Sequence, residues 1–240
     1  MFDKLRDDFE ERLQEIETYL DLLDMLEKQV RLGPPTMGES KISAQQQKIL
    51  YSSVYLQLYN LVEATVHWCL KAVCSAASTP GTWRPRDLSE KLLREWTRVY
   101  ARTHEDLNHD NRLSAVLALC KFMIEAQPLP DFNIERRSNW DDLEIETVSA
   151  RIGCELQISH EVRADVKRHV RDDKGALVLI KDLRNRLGHG SLSFTECGDG
   201  ATVEDLRDLK EHTARYLREV VDSFGRHVKD HLFLLPASRP

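Results

Sequence analysis

Glycine and proline are scarce in this chain, ten and eight in 240 residues. That scarcity excludes collagen-like and low-complexity architectures and favours long uninterrupted helices. Long apolar runs are missing as well. No stretch approaches the roughly 18 residues needed to cross a bilayer, and the start MFDKLRDDFEERL is charged and amphipathic, unlike a secretion signal. A cytoplasmic protein with no membrane contact is the expectation. Cysteine is limited to Cys69, Cys74, Cys120, Cys154 and Cys197. An odd number without a C-x-x-C pair argues against a disulfide scaffold or structural zinc, and for reduced core residues. Positive charge is not in excess either: 34 Lys plus Arg face 40 Asp plus Glu, a formal net charge of -6. Global attraction to nucleic acid is thereby excluded, so any RNA contact has to come from a local basic patch. Walker A, G-x-G-x-x-G, H-E-x-x-H and G-x-S-x-G motifs are all absent, which rules out P-loop nucleotide hydrolysis and implies no cofactor.

The residues that are present describe an ordinary globular protein, 41% apolar and 31% charged, of a length that suits one domain. The expected fold is all-α, an antiparallel helical bundle over residues 1–240, with a long N-terminal helix at 1–32 and a core bundle at 43–234. Phe2, Leu5, Phe9, Leu13, Ile16, Leu20, Leu23 and Leu26 recur at steps of three and four, lining one helix face, and Gly33-Pro34-Pro35 ends it. The charged opposite face reads as solvated. A second long helix is predicted from Ser43 to Ala77, where Ile49, Leu50, Val54, Leu58, Leu61, Val62, Val66, Leu70 and Val73 keep the same period. After the Pro80-Gly81 turn, Asp87 and Glu90 resemble a capping box opening a helix to about Arg102. Further helices are expected at Asn111–Ala126, Asp141–Ile152, Glu161–Leu187 and Val203–Leu234, with SLSFTECGDGATV as a short hairpin or irregular loop.

Two histidine pairs invite a metal reading: His104 with His109, and His227 with His231 at i and i+4 on the last helix. Neither has an obvious third ligand, so no metal site is assigned. The remaining chemistry lies in Arg184-Asn185-Arg186-Leu187-Gly188-His189. An Arg holds a phosphate through two parallel hydrogen bonds, and a His titrating near neutrality passes protons. Together they suit metal-free RNA cleavage, in which the 2′-hydroxyl attacks the adjacent phosphate and leaves a 2′,3′-cyclic phosphate and a 5′-hydroxyl. The spacing alone is weak, since about 22 Arg and 9 His in such a chain give roughly one R-x4-H by chance. Arg207 with His212 and Arg226 with His231 share it, but inside the final helix residues five apart are about 140° apart around the axis. At Arg184, Gly188 is expected to take the left-handed conformation that ends a helix, letting His189 swing back. A plain helix C-terminus, with Arg favouring the dipole and Gly capping, explains the same features.

The R-N-x-x-x-H segment resembles the signature of the HEPN superfamily, in which an Arg, a polar neighbour and a His four to six residues beyond the Arg form the active site. LYNLVEATV in the second helix looks like the HEPN helix whose acidic residue faces that motif. SNWDDLEIETVSARIG and HGSLSF followed by VEDLRDLKEHTARYLREVV resemble the MAE-like branch of prokaryotic HEPN nucleases, so the likeness covers roughly residues 45 to 228. The resemblance implies an endoribonuclease acting as a toxin or anti-phage effector. It also implies a homodimer with a shared active-site cleft, and an antitoxin or immunity protein as partner. By the same likeness Arg184 would bind the scissile phosphate, His189 handle protons, Asn185 position RNA or His189, and Glu63 orient Arg184. Arg186, Lys181 and Asn60 would contact RNA. Glu63 also has a plainer reading, satisfying a polar group on a buried helix. Arg163, Lys167, Arg168, Arg171 and Lys174 extend a basic patch that Glu161, Asp165, Asp172, Asp173 and Asp182 interrupt. Some HEPN proteins have lost the nuclease and bind a nucleotide or a partner protein, which is the alternative reading here.

Overall fold

A computed structural model of the chain describes residues 2–30, 33–79, 81–102, 105–134 and 139–240. Pro80, His104 and the 31–32 end of the first helix lie outside the described residues, as does the side chain of Phe2. The architecture is all-α. Helix α1 spans Phe2–Val30, and its Leu5, Phe9, Leu13, Ile16, Leu20, Leu23 and Leu26 are all buried. Helix α2, Ala44–Ala77, starts at Ser43 in a reciprocal capping box with Gln46 and buries residues from Tyr51 to its end. A two-residue hairpin, β1 (Thr36–Met37) and β2 (Ser40–Lys41), sits between them, a strand pair that the periodicity does not announce.

Helices α3 (Glu90–Tyr100), α4 (His109–Ile124), α5 (Asp142–Ile152), α6 (His160–Lys167), α7 (Ala176–Gly188), α8 (Phe194–Cys197) and α9 (Val203–Lys229) complete the bundle. One hydrophobic cluster joins residues of α1 to those of α9. Helices α1 and α9 run antiparallel, because Arg218 reaches Glu10 (2.7 Å), Lys210 reaches Glu17 (2.5 Å), and the Val203 N–H donates to Glu27 (3.0 Å). The charged face of α1 is therefore not simply solvated: its edge is stitched to α9. The Arg218 hydrogen bond holds the Glu10 carboxyl below the usual range despite opposing desolvation, and Lys210 does the same for Glu17.

Several expected elements differ. The stretch Glu161–Leu187 is two helices, because Asp172 and Asp173 both adopt positive φ (53° and 54°) and Arg171 pairs with Lys174 across them. Aspartate tolerates that conformation better than most residues, so D-D between basic residues is a turn signal. Helix α3 is capped by Ser89, while Asp87 caps the preceding 3-10 turn by accepting from the Arg84 N–H at 2.8 Å. The start is pinned there because Leu88 bridges to Leu234. The SLSFTECGDG segment holds α8, opened by a Ser193/Glu196 capping box. Gly198 ends α8 against α2, where an added Cβ would lie 1.9 Å from the Lys48 carbonyl oxygen.

The last helix ends at Lys229, so His231, with φ 51°, does not share a helix face with His227. Among the described residues no three His, Cys, Asp or Glu side chains gather as a metal site. His227 is buried and neither ring nitrogen has a hydrogen-bond partner; Phe233 lies 6.5 Å away and His231 and Trp83 continue the aromatic cluster. Burial, with Arg239 adding repulsion, lowers its pKa from 6.5 to about 4. Below about pH 6.5 the unfolded chain takes up the proton first, so stability is kept above that value and lost as pH falls toward 4, by roughly 3 kcal/mol. Denaturant titrations at pH 7 and pH 4.5 check this: His227→Leu is expected to lose about 2 kcal/mol less than wild type on acidification, and equal losses would remove His227 as the cause.

Candidate active site

Helix α7 is amphipathic. Ala176, Leu177, Leu179, Ile180, Leu183 and Leu187 point into the core, which leaves Arg184, Asn185 and Arg186 half-buried on its flanks. The Arg184 guanidinium lies 4.3 Å from the centre of the Tyr59 ring on α2. One of its terminal nitrogens donates to Asn185 Oδ1 at 2.9 Å, and Asn185 Nδ2 donates to Asn139 Oδ1 at 2.9 Å. Tyr59 is fixed in turn, its hydroxyl accepting from the Trp140 N–H at 3.4 Å. Burial raises the Tyr59 hydroxyl above the ordinary phenol range, with Arg184 opposing, so Tyr59 serves as a neutral platform. The contact is a cation–π interaction, worth about 0.5–2 kcal/mol according to its desolvation. Among the described residues Arg184 has no carboxylate within ion-pair distance.

The helix end differs from the expected one. Gly188 is the last residue of α7 with ordinary helical geometry, His189 is the C-cap (φ -90°, ψ 0°), and Gly190 takes the left-handed conformation at φ 70°. The Gly190 N–H donates to the Leu187 carbonyl (3.2 Å) and the Ser191 N–H to that of Arg186 (3.0 Å). That pair of bonds is the Schellman arrangement. His189 is exposed and makes no hydrogen bond with Arg184. Because the helical path continues to His189, it stands about 140° around the axis from Arg184, the same relation that argued against the other two Arg-His pairs. Angle therefore does not set this pair apart. Arg207 is consumed by Glu17 and Asp21, whereas the partners of Arg184 among the described residues are uncharged. Arg226 also donates to an uncharged group, Ser223 Oγ at 3.2 Å, so what separates Arg184 from it is the Tyr59 ring beneath the guanidinium.

The remaining predicted residues divide. Lys181 is paired with Asp141, the N-cap of α5, and Arg186 with Asp182 at 3.7 Å. Arg163, Arg168 and Lys174 are likewise bound to Glu146, Asp165 and Asp182, so the basic patch is largely neutralised in place. Asn60 is exposed and Glu63 half-buried on α2. Neither forms a hydrogen bond or ion pair with the guanidinium; both line a cavity next to Tyr59. Tyr59, Asn139 and Trp140 were missed in sequence, although they stand in the segments LYNLVEATV and SNWDDL that carry the resemblance. Cys74, at the cavity wall, has its thiol pushed up to about 11 by burial, which makes it a poor nucleophile.

A helical bundle presenting R-N-x-x-x-H at the end of one helix, over an aromatic residue of another, defines the class. The family model described as MAE_28990-like HEPN matches residues 1–232, and the chain belongs to that family. The match includes α1, which the resemblance over residues 45 to 228 did not cover. Neither a curated protein nor a solved structure matches the chain significantly. HEPN domains are generally ribonucleases.

The two glycines of the motif's end give opposite expectations. Gly188→Ala adds a methyl to open space in a helical conformation and should stabilise by about 0.5–1 kcal/mol. Gly190→Ala forces a left-handed alanine and should cost about 1–2 kcal/mol. Thermal melts of the two variants check the assignment of the left-handed residue, and a reversed order would contradict it.

Proposed function

We propose that this chain is a metal-independent endoribonuclease with Arg184 and His189 as its catalytic pair. The observation that carries the reading is the guanidinium of Arg184, oriented by Tyr59 and Asn185 with no carboxylate in ion-pair distance among the described residues, near an exposed His189. A fixed cation of this kind binds a phosphodiester and offsets the charge that builds on its oxygens. His189 removes the proton from the 2′-hydroxyl, the 2′-oxygen forms its bond to phosphorus, and the bond to the 5′-oxygen breaks as that oxygen is protonated. The products are a 2′,3′-cyclic phosphate and a 5′-hydroxyl.

Arg184 and His189 diverge around α7, and one imidazole does not act as acid and base at the same instant. Both points favour a homodimer in which two motifs face one RNA across a shared cleft. Asn185 then positions Arg184 directly, and Glu63 acts from the neighbouring cavity and not as a salt-bridge partner. With its own surface cations mostly paired, the protein has little general affinity for RNA, which suits a selective cutter. Unrestrained RNA cleavage harms its host, so the role assigned is that of a cytoplasmic toxin or anti-phage effector restrained by an antitoxin or immunity protein. A cavity beside the motif also favours a second reading, a nucleotide-binding module without nuclease activity.

Cleavage of total cellular RNA in the presence of EDTA, with chemical mapping of the new ends, separates the two. Wild type is expected to leave cyclic phosphates, and Arg184→Ala and His189→Ala each to lower the rate by about a hundredfold or more, His189→Ala at the wild-type melting temperature and Arg184→Ala with a loss of no more than about 2 kcal/mol from its contact with Tyr59. Loss of wild-type activity with EDTA, or full activity in either variant, would sink the proposal.

A further inference from the structure

Asn60, Glu63, His67 and Lys71 follow one another on α2 at steps of three and four, so they form a stripe along one side of the helix. All four line a cavity of about 320 Å³. Leu70, Ile134 and Trp140 give this cavity apolar walls, and Asn133 brings a second amide. Its volume falls within the roughly 300–1,000 Å³ of small-molecule sites. It adjoins the motif through Trp140, whose N–H donates to the Tyr59 hydroxyl, and through the Tyr59 ring beneath Arg184. At the other end Lys71 is exposed and forms no ion pair among the described residues. Arg12 lies over the Trp68 ring at 5.0 Å, on a side it shares with Asp8, Glu11 and Glu15, which leaves Lys71 as the cation with fewer competitors.

Apolar walls, converging amides and a carboxylate, and a cation at one end suit a nucleotide, with its base between the walls and its phosphate at the cation. The donors and acceptors select among bases. The Glu63 carboxylate accepts, and the amides of Asn60 and Asn133 each donate and accept. Guanine is the base whose Watson–Crick edge offers adjacent N1–H and N2–H donors to one carboxylate and the O6 acceptor to an amide. Adenine and cytosine present one amino group beside a ring nitrogen that a carboxylate repels, and uracil presents one N–H between two carbonyls.

We infer that this cavity is a guanine-selective nucleotide subsite, in which Glu63 receives N1–H and N2–H, the Asn60 or Asn133 amide meets O6, and Lys71 faces the phosphate. The inference rests on the ribonuclease reading for its place beside a scissile bond, while the binding itself requires no cleavage. Glu63 is then a specificity-determining residue, and the RNA cut is single-stranded, with a guanosine next to the cleaved linkage.

The test is calorimetric titration of the full chain with GMP, AMP, CMP and UMP, together with ¹⁵N spectra that follow the Trp140 indole, for wild type, Glu63→Gln and His189→Ala. GMP is expected to bind at least about tenfold more tightly than the other three to wild type and to His189→Ala, and to shift the Trp140 signal. Glu63→Gln, which keeps the side-chain shape, should lose about that tenfold preference with an otherwise native spectrum. Equal affinities, no binding of any nucleotide, or a GMP preference that survives Glu63→Gln overturns the inference. Selective GMP binding by a protein that cuts no RNA keeps the subsite and removes the nuclease, whereas cleavage without GMP preference does the reverse.

Discussion

Burial of α2 is the constraint from which the rest of this structure follows. A 34-residue helix is about 50 Å long, and α1, α7, α8 and α9 all pack against it. Its buried set runs from Tyr51 to Ala77, and the hydroxyl of Thr65 in mid-helix returns to the Leu61 carbonyl at 2.7 Å instead of seeking an outside partner. Four neighbours on one cylinder leave a single polar stripe, and the helix places Tyr59 at its edge. Arg184 reaches the ring of Tyr59 because α7 must press Leu183 and Leu187 into the same core. Core packing thus sets the position of Arg184 before any polar contact refines it.

Charge is distributed in a way that separates scaffold from site. Arg218 and Arg207 bind acids of α1, and Arg215 binds Glu161 and Asp165 of α6, so these cations hold helices to α9. Exposed pairs of this type contribute little each, about 0–1 kcal/mol; their value lies in fixing the register of α1 and α6 along α9. Arg184 is treated differently. Its partners among the described residues are a ring face and an amide oxygen, which orient a guanidinium without cancelling its field.

Period and caps made most of the fold legible. The apolar steps from Leu5 to Leu26 and the Ser43 start of α2 are recovered in the structure, as is the helix between Asp141 and Gly153. Interruptions were harder to read. The Asp172-Asp173 turn and the Ser193/Glu196 box carry local signals, but apolar periodicity on either side masks the first, and the second opens a helix of only four residues. Spacing and family likeness single out Arg184, Asn185 and His189 as candidates. Tyr59 and Asn139 are not singled out, because a ring under a guanidinium and an amide bridging 46 residues are tertiary facts with no period.

The left-handed residue shows how such a misreading changes the chemistry. Had Gly188 broken the helix, His189 would have been free to fold back on Arg184 and one chain would have sufficed. With the break at Gly190, the helix carries His189 past Arg184 and turns it about 140° away. A single phosphate then meets both groups most readily if the Arg comes from one motif and the His from another. The position of one glycine thereby bears on the proposed two-chain site more directly than any surface patch does, because it fixes where the C-cap of α7 sends His189.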